Sequence, residues 1–473
     1  MTARHSISHN LRVPASLSAP KEFLSQEECK ALFDKIVGFA SGGGETLVSL
    51  ESRWTGSAKW ARNRMHVASD KHGVDISISR TINGAGTSVS TTRLDDEGLR
   101  QAVRDAELLL KVGGESPENI KDPFIDEKIL HPQLWSDATY GFSPDARTEM
   151  VQKLVDPAET AGMISAGNLQ VSALGTATMS TDGTFRYYPT TEVECSMTVR
   201  DPKGTASGWA GVNHYDLGKI DPVALAARAL DKAQKSAKPN AVEPGRYTAI
   251  LEPQAIADLM RPLIDYAMDR IPAEMGMGPF AGREPGRSKI TEQVMDRKLI
   301  VRADPMDPDG GFLPYNRWDG TPYIPVNWID QGILRELAYP KGYGLSALNV
   351  DHALDNSRSF RLTPAPGVPT ISVEEMIAKT DRGILVTRLH DVQMVDFASM
   401  LCSGYTRDGL WLIEHGKISR PIKNFRFAES PLFVLNNLED VGKPVRVFAP
   451  RRAFVAPAVR VRDFSFTSLA DAV

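Results

Sequence analysis

Apolar and polar residues in the first half of the chain alternate with two different periods. The segment 24–40 has apolar residues three and four positions apart, which predicts a helix. The segment 74–80 alternates strictly between apolar and polar residues, as a half-buried strand does, and Asn83-Gly84 predicts a hairpin turn after it. A second amphipathic helix is predicted over 95–112. Helices that enclose antiparallel strands indicate an α+β fold.

The middle of the chain repeats this arrangement. An irregular segment, 114–140, precedes a predicted helix at 145–166 and another at 221–237. Between these helices the pattern predicts four strands: 169–178, 184–188, 192–200 and 207–213. Proline and charge over 239–246 then suggest a domain boundary. We therefore predict three parts: a flexible N-terminal arm at 1–22, an N-terminal α+β region at 23–238, and a strand-rich C-terminal domain at 239–473.

The second half of the chain begins with one strongly amphipathic helix, predicted over 254–270. Glycine, proline and charged residues over 272–311 predict a long loop with one short strand at 299–302. From Thr321 onward short strands dominate. The chain as a whole predicts two domains in which helices pack on antiparallel sheets.

The composition is typical of a globular protein and gives no sign of nucleic-acid binding. The chain has 473 residues, 42% of them hydrophobic and 24% charged, with a formal net charge of −4, which is ordinary for a globular protein. Without a block of basic residues we expect no nucleic-acid partner. The segment 446–462 is locally basic, and its alternating spacing predicts a solvated strand face.

The cellular compartment is inferred from hydropathy and from cysteine use. No run of about 18 apolar residues predicts a membrane span, and residues 1–20 lack the apolar core of a signal peptide. Cys29, Cys195 and Cys402 lie far apart, which suits a reducing compartment. We expect a cytoplasmic protein without a membrane partner, in which Cys402 is a buried structural thiol.

A search for chemical motifs finds no established catalytic arrangement. A helical zinc site needs two histidines about one turn apart, and of the nine histidines only His5 and His9 have that spacing. Asp265 and Asp269 are one turn apart, but they are interpreted as an exposed polar face. The aspartate-rich segment 304–309 is interpreted as a turn. Glycine-rich segments match neither a phosphate-binding loop nor a nucleophile elbow.

Five short motifs follow one another in a particular order: Trp-Ala-Arg-Asn-Arg at 60–64, Gly-Val-Asp-Ile-Ser at 73–77, Ser-Thr-Thr-Arg-Leu-Asp at 90–95, Asp-Gly-Leu-Trp-Leu-Ile-Glu-His-Gly-Lys-Ile at 408–418 and Pro-Ile-Lys-Asn at 421–424. Their order and spacing give the chain a resemblance to the TldD/PmbA family, over residues 24–468. The last two are similar to the family's C-terminal stretch, in which an aromatic residue precedes Ile-Glu-x-Gly-x-Ile and Pro-Val-Lys. The segment 437–442 resembles the stretch that follows.

The resemblance implies a division of labour between two related subunits. The TldD type binds a metal through His-Glu-x-x-x-His on a helix and a cysteine near the C-terminus, whereas the PmbA (TldE) type lacks these residues. The corresponding helix here, about 258–270, has neither His nor Glu, and 449–452 has Pro450 and Arg451 in place of the cysteine. The resemblance therefore implies no metal or other cofactor in this chain and zinc in an HExxxH-bearing partner. It also implies an extended peptide substrate, received by pairing at a sheet edge.

Three hypotheses about function follow. The first is a metal-free, TldE-like subunit of a heterodimeric metallopeptidase that degrades or matures peptides, paired with a TldD-type paralogue or with itself. The second is a stand-alone enzyme with a divergent site, for which Glu414, His415 and His390 are the candidates. The third is a non-enzymatic peptide-binding or regulatory protein, since the family is associated with modulation of DNA gyrase. For a dimer interface, 410–413 and 425–427 are candidates, with core strands as the alternative interpretation.

Overall fold

The structure is a computed structural model that describes residues 23–113 and 129–470. The predicted flexible arm at 1–22 lies outside the described residues, as does the segment 114–128 of the predicted connector. Three sheets and the helices packed on them make up the described chain, and the α+β prediction is confirmed. Within these ranges no helix has both the length and the apolar character needed to cross a membrane.

The first sheet is fully antiparallel and has the order β3-β2-β1-β4-β5-β6. Its strands are β1 (Glu45–Ala61), β2 (Arg64–Ile82), β3 (Ala85–Thr91), β4 (Ile164–Ser180), β5 (Phe185–Arg200) and β6 (Ser207–His214). The second strand is much longer than the strand predicted at 74–80. Because β1 pairs with β2 on one side and with β4 on the other along its length, polar residues outside the alternating segment also belong to the ladder.

Helices cover one face of this sheet. They are α1 (Gln26–Phe39), α2 (Asp96–Gly113), α3 (Asp137–Tyr140), α4 (Pro144–Thr160) and α5 (Pro222–Lys235). The first begins with a capping box, in which Ser25 and Glu28 each bond to the other's backbone N–H. Since side chains alternate along a strand, Leu50 and Trp54 of β1 are buried with the hydrophobic side chains of this region, while Glu51 and Arg53 point to the opposite face.

The remaining strands form two sheets. They are β7 (Gly245–Leu251), β8 (Leu299–Ala303), β9 (Val326–Asp330), β10 (Ile333–Leu334), β11 (Phe360–Pro364), β12 (Arg382–Val386), β13 (Leu389–Asp396), β14 (Leu401–Thr406), β15 (Leu410–Glu414), β16 (Lys417–Pro421), β17 (Phe425–Glu429), β18 (Leu438–Val441), β19 (Val445–Arg446), β20 (Phe454–Ala456) and β21 (Val459–Leu469). One sheet has the order β10-β9-β8-β11-β20-β19; the other has β13-β14-β17-β21-β7-β12-β15-β16, with β18 beside β21.

These two sheets are mixed, which the prediction of antiparallel sheets did not anticipate. The β7–β12 and β11–β20 pairs are parallel, and the other pairs are antiparallel. A parallel pair needs a long crossover connection, and here each pair is joined by a long intervening stretch of chain. A pattern of alternating residues does not distinguish parallel from antiparallel pairing.

Five helices accompany these sheets: α6 (Pro253–Tyr266), α7 (Arg270–Glu274), α8 (Lys341–Tyr343), α9 (Val373–Ala378) and α10 (Pro431–Asn436). The α6 helix is shorter than the predicted helix at 254–270. Ala338 pairs with the chain just after α6, accepting a bond from the N–H of Arg270 and donating one to the carbonyl of Met268. The backbone there is extended, and it therefore cannot continue the helix.

Two segments proposed for a dimer interface belong to the core instead. Leu412, Ile413, Phe425 and Phe427 are all at most 1% exposed. The alternative interpretation, core strands of the C-terminal sheet, is therefore correct for both segments. The Cys402 thiol is also buried, as predicted, and burial raises its pKa to about 11.

Candidate functional site

The polar face of the first sheet meets a loop of the C-terminal half. The carbonyl of Arg317 accepts hydrogen bonds from the hydroxyls of Ser49 (2.6 Å) and Thr178 (2.9 Å). The Tyr315 hydroxyl donates to the carbonyl of Thr176 at 2.9 Å. These bonds fix the loop against β1 and β4 and leave a cleft beside it.

Arginines line this cleft, which has a volume of about 130 Å³. We call it the arginine cleft and define it by five side chains from three separate segments: Arg53, Arg317, Arg446, Arg451 and Arg452. Glu192, Tyr215 and Phe312 complete much of the lining. Five guanidinium groups around so small a space bring an excess of positive charge to it, which the neighbouring carboxylates balance only in part.

Glu51 holds three of these arginines together. Its carboxylate forms ion pairs with Arg53 and Arg317, and Arg451 Nη2 lies 3.1 Å from Oε1. The Glu51 side chain is only 14% exposed, so these charge-assisted bonds are poorly screened by water. The carboxylate therefore connects β1 to both the loop at Arg317 and the loop at Arg451.

A second buried carboxylate lies on β5. Glu192 accepts hydrogen bonds from the Arg451 backbone N–H at 3.0 Å and from Asn213 Nδ2 at 2.7 Å. Burial raises the pKa of Glu192, and burial together with the neighbouring Glu192 charge raises the pKa of Glu194 to about 8. The two carboxyl groups lie two residues apart on one strand face, so the charge of one disfavours ionisation of the other. His214 nearby has its pKa lowered to about 4 by burial and by Arg446, so it is neutral there.

The α6 helix reaches the same region from the other side. Its Asp265 carboxylate forms an ion pair with the Arg452 guanidinium, and Arg261 Nε lies 3.6 Å from the same carboxylate. Gln254, at the start of the helix, exchanges hydrogen bonds with the backbone of Phe448. Both contacts tie α6 to the chain between β19 and β20. Asp265 is therefore not the exposed polar residue that the sequence predicted.

A larger cleft of about 520 Å³ lies along α6 and the edge strand β13. Asp258 lines it, and burial raises the pKa of this carboxyl to about 7. The carboxyl accepts bonds from Gln254 Nε2 at 2.8 Å and from the Leu389 N–H at 3.2 Å. His390 lines the same cleft, and burial and the neighbouring arginines lower its pKa.

Zinc does not fit the residues at the α6 helix. Zinc sites are built from cysteine, histidine and carboxylate ligands, three or four of which converge on one point. At this place the helix offers Asp258 and Asp265, and the Asp265 carboxylate is already bound by Arg452. In the two described ranges no group of three His, Cys, Asp or Glu side chains is arranged to hold a metal ion.

The three residues suggested for a stand-alone enzyme do not come together. His390 lies on β13, at one edge of the largest sheet, whereas Glu414 ends β15 near the other edge and His415 follows it in the turn to β16. Five strands separate β13 from β15, so the two sites are about 29 Å apart at ~4.8 Å per strand.

Glu414 and His415 have surface partners. The His415 side chain is 91% exposed in a tight turn, with Nδ1 3.0 Å from the Asp381 carboxylate, and Glu414 pairs with Arg420 at 3.1 Å. His390 alone of the three candidates lies in a cleft.

The arginines of the cleft are the residues that sequence reasoning missed. The basic segment 446–462 was interpreted as a solvated strand face, but Arg446 is half-buried and donates to the carbonyls of Asn213 and Asp309. Arg452 is likewise half-buried against Asp265. Local basic composition was the available signal. It did not point to the cleft because Arg53 and Arg317 are far away in sequence.

Comparisons with known proteins agree with this architecture. No curated protein matches the chain. The fold is similar to a putative modulator of a DNA gyrase from Thermotoga maritima (16% identity, 92% of this chain and 99% of that chain, TM-score 0.78) and to one from Bacteroides thetaiotaomicron (15%, 94% and 100%, TM-score 0.79). It is also similar to TldE from Thermococcus kodakarensis (17%, 92% and 99%, TM-score 0.78). At these identities the likeness shows a shared fold.

The sequence carries the family assignment. Residues 244–468 match the PmbA/TldA metallopeptidase C-terminal domain, which spans β7, α6, the 449–452 loop and β21. The matched region includes the 408–418 and 421–424 motifs, and the fold is shared with the solved relatives over more than nine-tenths of the chain. Residues 244–468 therefore form a C-terminal domain of the PmbA/TldA type, and the resemblance to the TldD/PmbA family that the motifs indicated is confirmed.

Proposed function

We propose that this chain is the metal-free, TldE-like subunit of a cytoplasmic heterodimeric metallopeptidase that degrades or matures peptides. The observation that carries the proposal is the ion pair between Asp265 on α6 and Arg452. By resemblance these two places correspond to the metal-binding helix and the C-terminal cysteine of TldD-type subunits. A guanidinium supplies a fixed positive charge there, but it offers no open coordination position at which water can be activated.

In this proposal the chain contributes binding surface. An extended peptide gains affinity by adding a strand to an open sheet edge. The β13 strand pairs with β14 on one side only within the described residues, and its Val395 side chain is 62% exposed. The edge lies beside the 520 Å³ cleft, so a bound strand would pass close to α6.

A second candidate function, a stand-alone enzyme, has one specific observation in its favour. Asp258, whose pKa is raised to about 7, shares a cleft with His390. A carboxyl group that titrates near neutral pH is suited to general acid–base catalysis. This candidate predicts activity in the isolated chain, and Asp258→Asn removes that activity.

The test compares the isolated chain with a mixture. We expect the purified chain to hold no stoichiometric zinc and to cleave no unstructured peptide. Addition of an HExxxH-bearing relative from the same cell should form a dimer with an interface on the order of 2,000 Å² and raise peptidase activity above that of the relative alone.

Elemental analysis, light scattering and a peptide-cleavage assay measure these outcomes. A monomer that stays unchanged by the relative, or one tightly bound zinc per chain, would contradict the proposal. Cleavage by the isolated chain that is lost in Asp258→Asn would establish the stand-alone enzyme instead. Arg420→Gln, at the exposed hairpin far from both clefts, is the matched control.

A further inference from the structure

We propose that the arginine cleft binds a carboxylate, and that its ligand is the C-terminal carboxylate of an extended peptide. The identity of the ligand as a peptide rests on the proposed function. The carboxylate chemistry rests on the charges, donors and size of the cleft alone.

The charge balance of the cleft favours an anion. Five guanidinium groups contribute +5, and the carboxylates of Glu51, Glu192 and Asp265 contribute −3 when all are ionised, which leaves +2. Charges in a partly buried site attract each other more strongly than in water, and a bound anion relieves the excess.

Guanidinium N–H groups that are not bonded to Glu51 give the cleft its specificity for a carboxylate. The Glu51 carboxylate engages one nitrogen of each of Arg53, Arg317 and Arg451. The other guanidinium nitrogens of these three side chains have no hydrogen-bond acceptor among the residues at 23–113 and 129–470. A guanidinium presents its N–H groups as a planar fork that matches the two oxygens of a carboxylate.

The cleft has room for only the end of a peptide. A volume of about 130 Å³ is well below the roughly 300–1,000 Å³ of sites that enclose a whole drug-sized ligand. A terminal carboxylate with its last residue is the part of a peptide that enters such a space while the rest lies outside. The Arg317 guanidinium also stacks on the exposed Trp318 ring, with 4.7 Å between its carbon and the ring centroid.

The first experiment tests the chemistry with the full chain and no partner. Calorimetric titration compares three peptides of one sequence without acidic side chains: the free acid, the C-terminal amide, and an amide with one internal glutamate. We expect the free acid to bind at least about tenfold more tightly than either amide, as the loss of one charge-assisted interaction predicts. Equal affinity for acid and amide would overturn the proposal. Equal affinity for the acid and the glutamate-bearing amide would overturn the assignment to a C-terminus.

Variants then place the ligand in the cleft. Arg53→Gln and Arg317→Gln should each remove the preference for the free acid, while Arg317→Lys, which keeps the charge without the fork, should retain only part of it. Arg420→Gln should keep the preference in full. Thermal unfolding checks that each variant is folded, and Arg317→Lys keeps the test valid if a glutamine variant does not fold.

A preference that survives both Arg53→Gln and Arg317→Gln would show that these arginines only cross-link the structure, and would refute the site. The result is independent of the metallopeptidase assay. Acid preference without activity in the mixture would contradict the proposed function alone, and activity without acid preference would contradict the carboxylate site alone.

Discussion

The ion pair between Asp265 and Arg452 should stabilise the C-terminal domain measurably. We predict that Arg452→Gln destabilises the C-terminal domain, because it leaves the Asp265 carboxylate without its main partner. The Asp265 side chain is only 10% exposed, so water cannot replace the lost guanidinium fully. The contact also ties α6 to the loop before β20, and its loss therefore acts on two elements at once.

The structure sets the size of the effect. Loss of one partner from a buried ion pair costs about 3–5 kcal/mol. Here Arg261 Nε remains 3.6 Å from the Asp265 carboxylate, and the Arg452 side chain is 22% exposed, so both solvent and a second cation reduce the cost. We expect about 2 kcal/mol, which lowers the Tm of a domain of this size by about 4–8 °C.

Scanning calorimetry of the full chain measures this change. Asp265→Asn combined with Arg452→Gln should be less destabilised than the sum of the two single variants, since the double variant has no uncompensated charge. Arg420→Gln, which breaks an exposed pair with Glu414, should leave the Tm close to that of the native chain. If Arg452→Gln and Arg420→Gln had the same Tm, the ion pair would not stabilise the domain as argued.

Two further predictions concern other charged residues. Glu429 is 4% exposed, and burial raises its pKa from 4.5 to about 7. The folded state therefore holds this proton more tightly than the unfolded state, and the stabilisation that results is complete below about pH 4.5. As the pH rises to about 7 this stabilisation is lost, and the free energy of unfolding falls by about 3 kcal/mol. Glu429→Gln should therefore flatten the fall in Tm between pH 5 and pH 8, and an unchanged slope would contradict this origin. Glu414→Gln and His415→Ala change only an exposed hairpin, so any peptide cleavage by the chain or by its mixture with the partner should keep its native rate. A rate that falls more than about tenfold in either variant would show that the substituted residue belongs to the site.

Much of the local structure follows from the sequence, because period and capping act over a few residues. Ser25 and Glu28 indicate the start of α1, and alternation at 74–80 indicates part of β2. The burial of Cys402 also follows from its apolar and small neighbours. The motif at 408–418 lies in the segment that matches the family domain, so the resemblance found in the sequence is confirmed as well.

Tertiary structure decided the length of the elements and the position of the candidate site. The strands β1 and β2 extend past their alternating segments because each residue gains a partner across the sheet, and α6 ends at Tyr266 because Ala338 pairs with the chain beyond it. The arginine cleft draws its side chains from β1, a loop and the segment after β18, and no short-range pattern relates these segments. Charges that lie far apart in sequence become a site only when folding brings them to one face, and the same folding places His390 and His415 near opposite edges of a sheet.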